Sequence, residues 1–178
     1  MIQTARLSLE EYHRIVGTGI LRDRQLERIE GLRVELSPET PYHANQNNKV
    51  HKYLLSRFDG LADVCSGHPI TLTASEPQPD RVLARLPESL DETRHPQPND
   101  IYLLIEISTL EHNLNAKKHL YAQAKISDYW MIDLQNRRVM AFRAPERTNY
   151  TQESELTPGV ISALALPKID LEVKRLLA

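Results

Sequence analysis

Several things are scarce in this chain, and each scarcity closes a line of interpretation. A single cysteine, Cys65, among 178 residues rules out an intrachain disulfide and any zinc site built on clustered thiolates. Six glycines are too few and too scattered for a phosphate-cradling loop, and neither a serine nucleophile elbow nor an HExxH zinc helix occurs. No apolar run approaches the roughly 18 residues of a membrane-spanning helix. The opening MIQTARLSLEEYHR lacks the apolar core of a secretory signal and is acidic within its first dozen residues, so the expected location is cytoplasmic. An excess of charge of one sign is missing too. With 22 basic and 24 acidic residues the net charge is −2 and the pI is near 6.4, which makes no bulk electrostatic case for a nucleic-acid binder. Small basic clusters remain at Arg22/Arg24 and Lys117/Lys118.

What is present describes one globular domain over residues 1–178, with 40% hydrophobic and 26% charged residues and no internal repeat. Ser8 followed by Glu11 predicts a capped helix through about residue 16. Residues 26–30 and 32–37 around Gly31 predict a hairpin with Leu32, Val34 and Leu36 on one face. Val50, Tyr53, Leu54 and Phe58 predict a helix over about 42–58 whose other face carries His43, Asn47, Lys52 and Arg57. Residues 64–73 read as a strand pair or one interrupted strand. SEPQPD then reads as a rigid lead-in that sets Asp80 at a strand entrance, and 86–100 as a long polar loop near the site. A helix over about 113–124, N-capped by Asn113, is followed by strands over 129–134 and 138–143 joined as a hairpin. One or two short strands near Pro158-Gly159 and a closing helix in IDLEVKRLL end the pattern.

The stretch IYLLIEISTLEHNLNAK, residues 101–117, organises the rest. Ile101 to Ile107 is apolar or aromatic at every position but Glu106, which is how a strand buried on both faces reads. An ionised carboxylate there is costly unless a cation or dense hydrogen bonding meets it. Alternation puts Tyr102, Leu104, Glu106 and Ser108 on one face. If the strand that Asp80 opens lies alongside in register, two carboxylates on one face can share a divalent cation. Counting from Leu110, Leu114, Lys117, Tyr121 and Ala124 form one helical stripe, which Lys117 interrupts unless it points back to Glu106 and Asp80. Two carboxylates and one lysine suit metal-assisted phosphodiester hydrolysis. On spacing alone, a structural ion pair of Glu106 with Lys117, and Asp80 as a turn or strand cap, is the more frequent arrangement. His43 and His112 read most simply as surface residues near helix starts, and Glu30 as a solvated turn residue.

The order RIEGLRVELSPETPYH, EPQPD, LLIEIST and KKHLYAQAKISDYWMIDL resembles the Uma-two family of restriction-endonuclease-like proteins, within the PD-(D/E)xK nuclease superfamily. The resemblance runs from about Leu9 to Phe142 and is most specific in the K-x-x-x-Y-A stretch that leads into the YW-x-x-D strand. It implies an α/β fold with a mixed central sheet flanked by helices, preceded by an N-terminal helix and hairpin. It implies that Asp80 and Glu106 hold Mg2+ or Mn2+ and that Lys117, moved from its usual place two residues after the glutamate to the next helix, completes the catalytic set. Glu30 or Glu27 in the hairpin, and His43, match positions that recur in the family. DNA is then the expected substrate. A homodimer paired through the YW-x-x-D hairpin is a further expectation. Asn113 stands where the family usually has aspartate, Leu114 where it has arginine, and Arg81 where it has an apolar residue. Those departures motivate the alternative of a nuclease-fold protein that binds or scaffolds without cutting, and a third reading is hydrolysis of another phosphate ester.

Overall fold

A period-two pattern and a period-3.6 pattern alternate along the chain, and strands and helices follow in that order. The computed structural model describes residues 5–24, 26–36, 38–86, 94–108 and 114–178, with side chains from 116 onward in the last segment. Asn113, His112, Leu110, the side chain of Leu114 and residues 87–93 of the polar loop therefore lie outside the described residues. The elements are α1 (Leu9–Gly17), β1 (Leu26–Ile29), β2 (Leu32–Glu35), α2 (Pro41–Phe58), β3 (Asp63–Ser66), β4 (Arg81–Ala84), a 3-10 turn (Pro98–Asp100), β5 (Ile101–Ser108), α3 (Leu114–Gln123), β6 (Asp128–Asp133), β7 (Arg138–Glu146), β8 (Asn149–Leu156), β9 (Val160–Ile161), β10 (Leu171–Glu172) and α4 (Val173–Leu176).

Six strands form one mixed sheet in the order β3-β4-β5-β6-β7-β8. Every neighbouring pair is antiparallel except β5 and β6. A parallel pair cannot be closed by a hairpin, and α3 is the crossover that joins it. The apolar runs of β5 and β6 are consumed by burial on both faces, β6 at every position. On one face α2 packs Val50, Leu54 and Phe58 over Leu103, Ile105 and Trp130, and α4 adds Val173 and Leu176. On the other face Tyr121 and Ala122 of α3 pack over Leu104, Tyr129 and Met131. The expected mixed sheet flanked by helices, with an N-terminal helix and hairpin, is the fold that forms. Among the described residues no helix is long and apolar enough to cross a membrane.

The N-terminal elements are fastened to the strand that introduces Asp80. Ser8 caps α1 through a reciprocal capping box with Glu11. At the hairpin tip Glu30 and Gly31 both take positive φ, 48° and 81°, the primed-turn geometry that matches strand twist. β1 then pairs with the proline-rich lead-in. Arg28 and Glu76 exchange backbone hydrogen bonds, and the Gln78 amide donates to Glu27 Oε1 at 2.8 Å.

Four local expectations are revised. Only Asp63–Ser66 of the 64–73 segment is a strand; Gly67 turns at φ +60°, Pro69 has no N–H to offer a ladder, and Ile70 and Leu72 are buried outside any sheet. IDLEVKRLL is a two-residue strand and one helical turn, because Leu171 and Val173 alternate into the core before Leu176 completes a turn. A register shift between Leu83 and Ala84 breaks alternation at the start of β5, so Ile101 joins Leu104 while Tyr102 packs on the opposite face. The YW-x-x-D hairpin offers no open edge for a homodimer, since β6 lies between β5 and β7.

The polar loop is anchored where it re-enters the sheet. Asp100, 4% exposed, accepts from Arg85 Nε at 2.7 Å, Arg94 Nη1 at 2.6 Å and the Gln97 amide at 3.0 Å. Arg94 first, then Gln97 and Arg85, overcome burial and lower its carboxyl to about 2. A lowered carboxyl stabilises the fold above the unfolded pKa and loses that contribution as pH falls from about 4 toward 2. The full difference is worth at most about 2.5 kcal/mol, and screening at guanidiniums that are 35% exposed reduces it to about 1 kcal/mol. Asp100→Asn should lower stability by that amount at pH 7 and by almost nothing near pH 2. Urea titrations at the two pH values check it.

Candidate functional site

The site lies where β4 begins and β5 ends. Arg81 pairs with Ile105 in the antiparallel ladder, so Asp80, one residue before β4, stands beside Glu106 and Ile107. Asp80 Oδ2 accepts from the Ile107 amide at 2.7 Å, and Oδ1 accepts from Asn47 Nδ2 at 3.1 Å. The lead-in that carries Asp80 is held by β1, and β1 also delivers Glu27, which is 3% exposed. Hairpin and sheet thus position two carboxylates from residues far apart in sequence.

Lys117 arrives from α3. Its Nζ donates to Glu106 Oε1 at 2.9 Å and lies 3.4 Å from Glu27 Oε1. Burial alone would pull this ammonium down. The charges of Glu106 and then Glu27 prevail and hold it well above the ordinary lysine range. One turn later Tyr121, fully buried, donates its hydroxyl to the same Glu106 oxygen at 2.5 Å.

His43 enters from the first turn of α2, which Thr40 caps and Pro41 opens. The expected division of this helix is revised here: His43 and Asn47 share the sheet-facing side with Val50 and Leu54, at steps of four, three and four. The Nε2 of His43 is 2.7 Å from the Ile107 carbonyl and Nδ1 is 2.7 Å from Glu39 Oε1. Both ring nitrogens meet acceptors, which only an imidazolium satisfies with two N–H groups. Burial opposes that charge, but the Ile107 carbonyl, Asp80 at 3.9 Å and Glu39 raise the ring above its ordinary value.

Asp80 shows the balance of charge in the arrangement. Burial and then the neighbouring charge of Glu106 push its carboxyl up to about 6, against the lowering effect of the Ile107 amide, His43 and Lys117. Glu27, Glu39, Asp80 and Glu106 face the Lys117 ammonium, the His43 ring and the Arg81 guanidinium, which acts on Asp80 and Glu39. Negative charge therefore prevails in a place meant, on the expected chemistry, to receive a polyanion.

Of the residues singled out from sequence, the structure brings together Asp80, Glu106, Lys117 and His43. Glu30 stands apart: at the hairpin tip its side chain is 59% exposed and 3.6 Å from Arg6. The hairpin explains the difference: Glu27 lies within β1 against the lead-in to β4, whereas Glu30 occupies the turn at the exposed tip. Glu39, Asn47 and Tyr121 belong to the site without having been read as such. For Tyr121 the signal was its place four residues after Lys117 on the same stripe. Arg81, unusual in the sequence pattern, is 2% exposed and bonds Asn47 O at 2.6 Å and Ser66 Oγ at 2.8 Å, so it ties α2 to β3 beneath the site.

Among the described residues no three His, Cys, Asp or Glu side chains gather closely enough to cage a metal ion. The pair Asp80 and Glu106 nevertheless fits a hard divalent cation of the Mg2+ type, which uses one or two carboxylates and keeps several waters. The donors are all oxygen, their charges repel, and among the described residues the buried Oδ1 of Asn47, next to Asp80, has no hydrogen-bond partner.

Comparison with known proteins bears on the family and the fold. The Uma2 family model, described as "Putative restriction endonuclease", matches residues 9–174. No curated protein matches the chain. Among solved structures, one titled as a putative nuclease belonging to DUF820, from Anabaena variabilis ATCC 29413, superposes with a TM-score of 0.73 at 15% identity, covering 96% of this chain and 97% of that one. At that identity the likeness is one of fold.

Proposed function

This chain belongs to the Uma2 family, and from that premise we propose that it is a metal-dependent nuclease hydrolysing DNA phosphodiester bonds. Asp80 and Glu106 would hold Mg2+ or Mn2+, and Lys117 would act at the reacting phosphate. The observation that carries the reading is the convergence of a carboxylate pair with net negative charge and a locked ammonium at one end of β5. A polyanionic substrate cannot approach such a pair without a cation between them. When bound, that cation supplies charge neutralisation at the phosphate and acidifies a water nucleophile.

The chain's own groups divide the remaining work. Lys117, held protonated by Glu106 and Glu27, is an electrostatic group and not a proton acceptor; its preset position costs no reorganisation as negative charge develops. Glu27 keeps the ammonium from swinging out. His43 fixes the Ile107 carbonyl on one side while the Ile107 amide fixes Asp80 on the other, so the end of β5 is a rigid platform.

Incubating the protein with plasmid and with single-stranded DNA plus Mg2+ tests the reading. Cleavage by wild type should fall by on the order of 100-fold or more in Glu106→Ala. Cleavage at an equal rate in the variant would remove Glu106 from the mechanism. A wild type that binds DNA without cutting it would return the protein to the class of binding or scaffolding modules.

A further inference from the structure

The helix that carries Lys117 sends a second donor to the same oxygen. Lys117 Nζ and the Tyr121 hydroxyl both meet Glu106 Oε1, at 2.9 and 2.5 Å, because residues four apart share a helix face. Among the described residues no hydrogen bond reaches Oε2 of that carboxylate. The tyrosine cannot turn without repacking its surroundings. Its ring is set edge-on to Tyr129 at 5.1 Å and 66°, and Tyr129 stacks on Phe142 at 5.3 Å. A hydroxyl donating to an ionised carboxylate is shorter and stronger than a neutral bond.

We propose that Tyr121 is a positioning residue: with Lys117 it occupies one oxygen of Glu106, fixes the carboxylate's rotation, and leaves Oε2 available to a divalent cation. The inference rests on the nuclease reading for its purpose, but its content is a claim about cation affinity. A packing role predicts something different, and the structure contains the control. Tyr150 is buried in the same aromatic cluster, and among the described residues its buried hydroxyl has no hydrogen-bond partner.

The test compares wild type, Tyr121→Phe and Tyr150→Phe. Mn2+ affinity is read from the electron paramagnetic resonance of free Mn2+, the Mg2+ dependence from DNA cleavage, and folding from thermal melts. Tyr121→Phe should melt cooperatively, bind Mn2+ roughly 10- to 100-fold more weakly, and need correspondingly more Mg2+ for half-maximal cleavage. Tyr150→Phe should match wild type in both readouts. An unchanged Mn2+ affinity in Tyr121→Phe, an equal loss in Tyr150→Phe, or loss of cooperative melting in Tyr121→Phe alone would overturn the proposal. A wild type that binds Mn2+ but cuts no DNA defeats the nuclease reading only, and the Mn2+ comparison still decides Tyr121. A wild type that binds no Mn2+ defeats both.

Discussion

Lys117→Met should stop DNA cleavage and, in the same protein, lower the unfolding free energy by roughly 3 kcal/mol. The two effects have separate causes. Cleavage stops because the positive charge at the phosphate is gone. Stability falls because Glu106 and Glu27, with side chains 11% and 3% exposed, are left facing each other without the ammonium between them, and an uncompensated buried charge costs more than the pair contributed. The double variant Lys117→Met/Glu106→Gln separates them. It should recover most of the lost stability, since a neutral amide needs no cation, while remaining inactive. Chemical denaturation and plasmid cleavage measured on the same preparations check both halves. Full stability in the single variant would mean that the ammonium does not hold the two carboxylates together.

Asp80→Asn should abolish cleavage yet stabilise the metal-free protein at neutral pH. Asp80 is raised to about 6 in the folded chain, whereas an unfolded aspartate titrates near 3.9. Its proton is held more tightly when folded. Acid therefore stabilises the native state through the window from about 6 down to about 4, and above pH 6 the penalty of carrying the charge is complete, about 3 kcal/mol. Asparagine removes that penalty and gives up one hydrogen bond, because its NH2 group must face the donor of either Ile107 or Asn47, at about 1 kcal/mol. The net expectation is a gain of about 2 kcal/mol at pH 7, shrinking to nothing or reversing at pH 4. Added Mg2+ should raise the melting temperature of wild type and leave that of the variant nearly unchanged, since the cation relieves a repulsion the variant lacks. Melting curves with and without Mg2+ at pH 4 and pH 7 decide it. A difference in stability between wild type and variant that does not shrink from pH 7 to pH 4 would contradict the assignment of charge at Asp80.

Both results would describe a site that is maintained at the expense of stability. Asp80 is destabilised by burial beside Glu106, and Arg81 beneath it buries an Nε without a partner. Such features contradict the local rules that the rest of the chain obeys, and their concentration at one end of β5 is the pattern expected where function has set the residues.

How much of this was legible in the residues differs from part to part. The central strand announced itself, because seven positions with one charge leave few alternatives to a fully buried strand holding a compensated carboxylate. Lys117 was found by its interruption of an apolar stripe, since helical geometry alone fixes which residues share a face. Choosing between Glu27 and Glu30 is beyond pattern: one lies within a strand and the other in the adjoining turn, and only the packing of β1 against the lead-in to β4 sets which is buried. Polarity alone assigns His43 and Asn47 to solvent, and only the docking of α2 on the end of β5 turns them inward.

Local sequence, then, determined most of the elements and singled out Asp80, Glu106 and Lys117 as candidates, because helix and strand periods are written in spacings of two to four residues. Tertiary structure decided that Asp80 lies beside Glu106, that Glu27 and not Glu30 braces Lys117, and that Tyr121 serves Glu106. Those relations join residues up to 90 positions apart, as in the contact of Lys117 with Glu27. Strand register and helix docking set them, and no spacing along the chain encodes either.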